Sequence, residues 1–243
     1  MKSIILCEGR TDAGILKYYM ERVNGWKDYG KGTFKIDGLF SRRYYRDKDS
    51  LTIAAMGGCN RITYAIEEIM KYNKCQFREE DVFSRIAVIV DNDDVNTSEK
   101  TIKEIDSVLN RKGEIKDTNI RNNEWIEFSF FNDMKKKLNL RLLPLIIPFD
   151  EKGAIETFIL KSISDEDDYD KEIIVKGNDF IDTVDPDRRY LNHRRIITKA
   201  KYEVFFSVRA TAEKHNDRDV VMKSIEWEKY KGTQMGFEKL RDM

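Results

Sequence analysis

Proline is scarce in this 243-residue sequence, with only 3 present. It breaks helices because it lacks a backbone N–H and clashes with the preceding turn, so its scarcity favours long uninterrupted helices and argues against a proline-rich linker. Cysteine is equally sparse: Cys7, Cys59 and Cys75 are an odd set without close spacing, which argues against a disulfide framework or a cysteine-based zinc site. Cys7 ends an apolar run and reads as an ordinary buried strand residue. No apolar stretch approaches the roughly 18 residues that a membrane span requires. The apolar run after Met1-Lys2-Ser3 is too short for a signal peptide, so the expectation is a soluble cytoplasmic protein with no membrane partner. Net charge is lacking too. The 44 basic and 44 acidic side chains sum to +0, so any nucleic-acid surface has to be a local patch.

What is present is enough for a folded core. Apolar residues make up 40% and aromatic residues 11% of the chain, which argues against wholesale disorder. Charged residues reach 36% and the mean hydropathy is -0.62.

The chain opens on the apolar, β-branched run Ser3–Cys7, then Glu8-Gly9-Arg10-Thr11-Asp12, then a helical spacing of Ile15, Leu16, Tyr19 and Met20. A strand, a glycine turn and a helix in that order open an α/β sheet covered on both faces. Residues 24–49 read as an insertion or long hairpin. Leu51–Met56 is a second strand, Gly57-Gly58 its turn, and Ile62, Ala65, Ile66, Ile69 and Met70 the inner face of a helix. The third strand, Ile86–Val90, runs into Asp91-Asn92-Asp93-Asp94. A helix at 98–111 with Ser98 as N-cap follows, then an edge strand at 125–131 and a strand at 142–147 ended by Pro148. Beyond 152 only helices are expected: 152–162, 168–183, 188–211 and 219–242, the last broken near Gly232. The expected organisation is an α/β domain over 1–148 with a helical region over 149–243 packed on it.

Three strands thus end in a carboxylate or glycine turn. In an open, mostly parallel sheet such ends line one crevice. Asp91 and Asp93 stand two residues apart, so at a strand tip they point the same way. Like charges held close repel unless a hard cation or a proton compensates; Glu8 can complete such a site, and Asp12 follows one helical turn later. Each feature alone has a plainer reading: a solvated Asp-x-Asp turn, an Asp12 facing its helix dipole, a loop glutamate, a tight diglycine turn. Their joint occurrence weakens those readings.

Glu8-Gly9-x-x-Asp12, Gly57-Gly58 and Asp91-x-Asp93, in that order over the first half, resemble the Toprim domain of topoisomerases, primases, ribosomal-RNA maturases and overcoming-lysogenization-defect nucleases. The resemblance implies general acid–base or metal-binding work for Glu8, Mg²⁺ (or Mn²⁺) at Asp91 and Asp93, and DNA or RNA as partner. Lys152-Gly153-Ala154-Ile155-Glu156-Thr157 resembles the Gly-x-x-Glu helix of the nuclease branch and of small stand-alone relatives, which implies that Glu156 serves a second metal; the plain alternative is a surface glutamate. The nuclease branch also carries a lysine that stabilises phosphate charge. In the basic stretch of Arg188, Arg189, Arg194, Arg195, Lys199 and Lys201, helical spacing puts Arg194 and Lys201 beside Ile197, Val204 and Val208. That geometry favours Lys201 over Lys199 for the catalytic role, with Arg194 and Lys199 as nucleic-acid contacts. A solvated basic helix is the alternative.

The span between the first helix and the second strand exceeds a minimal Toprim unit. Nothing resembles a topoisomerase tyrosine domain or a primase zinc ribbon. No Gly-x-x-x-x-Gly-Lys-Ser/Thr is present, so an ATPase partner would be a separate chain. The leading expectation is a metal-dependent nuclease. The alternatives are a non-catalytic subunit that binds nucleic acid or an ATPase, and a haloacid-dehalogenase-like phosphatase. In that last class the Asp-x-Asp normally ends the first strand, whereas here it ends the third.

Overall fold

The computed structural model describes residues 1–29, 38–94, 96–112, 114–115, 119–209 and 218–243. The chain runs β1 (Lys2–Cys7), α1 (Arg10–Asn24), β2 (Lys27–Asp28), β3 (Phe40–Arg46), β4 (Asp49–Ala55), α2 (Ile62–Lys74), β5 (Phe83–Asp91), α3 (Thr97–Lys112), β6 (Glu114–Ile115), β7 (Ile126–Phe131) and β8 (Lys137–Ile147). Then come α4 (Ile155–Glu166), α5 (Asp168–Val184), α6 (Arg194–Arg209), α7 (Arg218–Ser224) and α8 (Lys231–Phe237). The fold is α/β. Among the described residues, eight strands form one sheet in the order β2-β3-β4-β1-β5-β8-β7-β6. The central four, β4, β1, β5 and β8, are parallel, and antiparallel strands extend both edges.

Apolar runs without alternation are what a sheet buried on both faces requires. Ile5, Cys7, Ile53, Ile89 and Leu145 pack with α1 and the C-terminal helices on one face. Ile4, Leu6, Ala54, Val88 and Ile146 pack against α2 and α3 on the other. The first face is deepened by Phe158, Trp227 and Phe237, so the helices after β8 share a core with the sheet. No helix among the described residues is long and apolar enough to cross a membrane.

Several expected elements shift. Part of the 24–49 stretch is the β2–β3 ribbon, antiparallel to β4; residues 30–37 of that insertion lie outside the described residues. The strand at 125–131 is not an edge, because the two-residue β6 pairs with it. Ser98 is not the N-cap of α3: the helix begins at Thr97, whose hydroxyl accepts the Asp94 N–H at 2.9 Å. The helix expected from 188 begins at Arg194. Asp185 is the reason, since its carboxylate accepts the N–H groups of Arg189, Tyr190 and Leu191 at 3.1, 2.7 and 2.8 Å and closes a turn instead. The final break comes before Gly232, between α7 and α8. Gly232 lies inside α8, where a Cβ would meet Ser162 Oγ at 2.9 Å. The same hydroxyl accepts the Thr233 N–H at 2.7 Å, fixing α8 on α4.

Candidate metal centre

Backbone hydrogen bonds draw the carboxyl ends of β1, β4, β5 and β8 into one crevice. The N–H groups of Gly57 and Gly58 donate to the Glu8 carbonyl at 2.9 and 3.1 Å. That approach uses φ values of 85° and 130°, a backbone region that glycine alone adopts without steric cost. On the other side, the Asn92 N–H donates to the Ile147 carbonyl at 2.7 Å and the Gly153 N–H to the Asn92 carbonyl at 3.0 Å. The loop after β8 is thereby stitched to the loop after β5. Asp91 Oδ1 accepts the Ile155 N–H at 2.9 Å, which satisfies one of the free amides at the start of α4 and brings Glu156 into the crevice.

One carboxylate oxygen each from Glu8, Asp91 and Asp93 lie within 4.8 Å of one another. Oxygens around a divalent ion at about 2.0–2.6 Å fall inside such a spacing. The cavity they border is about 10 Å³, the scale of a single ion or water. Asp12 and Glu156 line the same cavity. Asp12 also receives the Gly9 N–H at 2.7 Å, so its local helix-start role and its place in the cluster coexist. Glu156 is 1% exposed rather than a surface residue. Glu8 Oε2 and Glu156 Oε1 are buried without a hydrogen-bond partner among the described residues, an unfavourable state for a carboxylate unless something supplies compensation.

The electrostatics point the same way. Burial, then Asp12 and Glu8, pushes the Asp91 carboxyl up to about 9. Burial, followed by neighbouring carboxylates, raises Glu8 and Glu156, and burial raises Asp12. An all-oxygen anionic set of this kind fits a hard cation such as Mg²⁺ or Mn²⁺, whose charge would reverse every one of these shifts.

Helix α6 closes the cavity with Arg195, Thr198 and Lys199. The preference for Lys201 over Lys199 is reversed. Lys201 faces away and pairs with Asp182 of α5 at 2.7 Å. The residues buried on α6 are Tyr202, Phe205 and Phe206; Val208 is 60% exposed. Arg195, Lys199, Tyr202 and Phe206 recur at the spacing of one helical stripe, which carries both cations over the carboxylates. That aromatic stripe is the signal that would have assigned Arg195, a residue given no role from sequence. Arg194 donates to the Asp93 carbonyl and borders the neighbouring recess.

Over residues 2–239 the chain matches the family described as Protein of unknown function (DUF3226). Among solved structures, a hypothetical protein (PH0156) from Pyrococcus horikoshii OT3 is similar, with a TM-score of 0.52 and 15% identity. The alignment covers 98% of this chain and 99% of that one, and at such identity it shows the shared fold alone. The sequence matches no curated protein.

Proposed function

The chain belongs to the DUF3226 family, proteins of unknown function, and from its acidic crevice we propose that it is a Toprim-like, divalent-metal-dependent nuclease. The observation that carries this reading is the convergence of Glu8, Asp91 and Asp93 within 4.8 Å, under the cations Arg195 and Lys199.

Glu8, Asp91 and Asp93 would hold a first ion, while Glu156 and Asp12 stand beside it for a second. A bound Mg²⁺ or Mn²⁺ supplies neutralisation of the charge that builds on a phosphodiester. The protein's own groups do the rest. Arg195 and Lys199 bring positive charge to the phosphate side of the cavity, where it counts most in a partly dehydrated site. Glu8 Oε2, which has no hydrogen bond among the described residues, is placed to accept a proton from an attacking water. The Asp91–Ile155 bond holds α4 against the strand tips and keeps Glu156 inside. Lys201, committed to Asp182, stays out of the chemistry.

The test is cleavage of DNA and RNA panels with Mg²⁺, Mn²⁺ or EDTA, comparing wild type with Asp91→Asn. Metal-dependent cleavage lost in Asp91→Asn is the expected result. Absence of cleavage on every substrate, or full activity in Asp91→Asn, would overturn the reading.

A further inference from the structure

Beside the acidic cavity, α4, α5 and α6 enclose a second recess of about 480 Å³, within the ~300–1,000 Å³ range of small-ligand sites. The two adjoin, since Thr198 borders both. Arg194 spans them, donating to the Asp93 carbonyl while bordering the recess.

The recess has two chemistries. Leu160, Ile174, Val175 and Ile197 give it apolar walls, and the Asn178 carboxamide stands among them. The Asn178 Oδ1 atom is buried without a hydrogen-bond partner among the described residues. The rim is cationic. Lys161 and Lys201 are neutralised by Glu151 and Asp182, whereas Lys152 and Arg194 have no carboxylate partner among the described residues. Apolar walls suit the faces of a flat heterocycle, a carboxamide suits its hydrogen-bonding edge, and free positive charge suits an attached phosphate. A simple anion would leave the apolar walls unused, and a neutral apolar ligand would leave the cations unused.

We propose that this recess holds one unpaired nucleobase of the strand whose phosphodiester lies at the acidic cluster. The proposal rests on the nuclease reading and narrows its substrate. A base lodged between α4, α5 and α6 cannot at the same time be paired and stacked, so single strands and frayed ends are favoured over intact duplex.

Two experiments separate this proposal from the reading beneath it. Bis(p-nitrophenyl) phosphate has a phosphodiester but no nucleobase, so its metal-dependent hydrolysis tests the cluster alone. Val175→Trp, which fills the recess, and Asn178→Leu, which removes its carboxamide, should leave that hydrolysis within about twofold. On a single-stranded oligonucleotide they should lower kcat/KM roughly tenfold, the loss expected for one base contact. The second readout needs no turnover: fluorescence anisotropy of Asp91→Asn protein with a base-bearing decamer and with the same decamer carrying one abasic site. The expected result is tighter binding of the base-bearing strand, a difference abolished by Asn178→Leu, which also serves if Val175→Trp fails to fold. Equal binding of the two decamers, or a preference that survives Asn178→Leu, overturns the recess. Failure to hydrolyse either substrate overturns the nuclease reading instead, and the anisotropy result still decides whether a base is bound.

Discussion

The Ile155 N–H donates to Asp91 Oδ1 at 2.9 Å, so the strand-end aspartate is both a candidate ion ligand and the cap of the helix that carries Glu156. The two roles can be separated by chemistry. Asparagine keeps the accepting oxygen and removes the charge. In EDTA at pH 8, Asp91→Asn is expected to unfold about 2–5 °C above wild type, because burial forces Asp91 to take up a proton at that pH, whereas asparagine is neutral without one and keeps the cap. Wild type should gain stability on adding Mg²⁺, by about 2.7 kcal/mol at a hundredfold excess over Kd. Asp91→Asn should gain almost none. Equal Mg²⁺ gains in calorimetric scans of the two proteins would remove Asp91 from the ion site.

The same cluster sets a pH dependence of defined sign. Asp91 is raised to about 9, and Glu8, Asp12 and Glu156 are raised as well. Between the ordinary carboxylate range and those values the folded, metal-free protein binds more protons than the unfolded chain. The contribution of these carboxyls to stability is therefore fully present at low pH and declines as pH rises, by about 1.4 kcal/mol per pH unit for each proton involved. Lys2, lowered to about 8 by burial, acts in the opposite sense above that pH, so pH 5–8 is the informative window. Thermal unfolding in EDTA should show Tm falling across it, and saturating Mg²⁺ should flatten the slope. A Tm that rises with pH in EDTA would contradict the assignment.

Much of the crevice is legible in the sequence because each piece follows an unmistakable apolar strand. Glu8, Gly57-Gly58 and Asp91 come directly after runs buried on both faces, and strand ends of a parallel sheet lie together. The basic helix is less legible for a physical reason. α6 packs on the core through Tyr202 and Phe206 and on α5 through Val204, which approaches within 3.1 Å of where a Gly177 Cβ would stand. Two apolar stripes leave the helix phase ambiguous, and the wrong stripe selects Lys201. The start of α6 is hidden for another reason: three amide bonds to Asp185 outweigh the helical propensity of residues 188–193.

Glu156 provides a count of ions. Its Oε1 is buried without a partner among the described residues, and it lines the cavity that Glu8 and Asp91 border. Titration calorimetry with Mn²⁺ should give two ions for wild type and one for Glu156→Gln. Nuclease activity should fall at least about tenfold, the scale of losing one charge-stabilising group. Two ions retained in Glu156→Gln would exclude it as a ligand.

The cations of α6 should divide by face. Arg195 and Lys199 border the acidic cavity and face its carboxylates, so a phosphate drawn to the ion site would meet both. Each phosphate contact releases condensed counterions, and log K falls with log salt by about 0.7–0.9 per contact. Arg195→Ala and Lys199→Ala should each weaken oligonucleotide binding and reduce that slope by nearly one. Lys201 borders the neighbouring recess and is committed to Asp182 of α5. Lys201→Ala should leave slope and cleavage rate unchanged and cost no more than about 1 kcal/mol of stability, the usual worth of a partly exposed ion pair. Anisotropy titrations between 50 and 200 mM salt decide the matter. A slope lowered by Lys201→Ala and untouched by Lys199→Ala would mean that the phosphates lie at Lys201 and not over the acidic cavity.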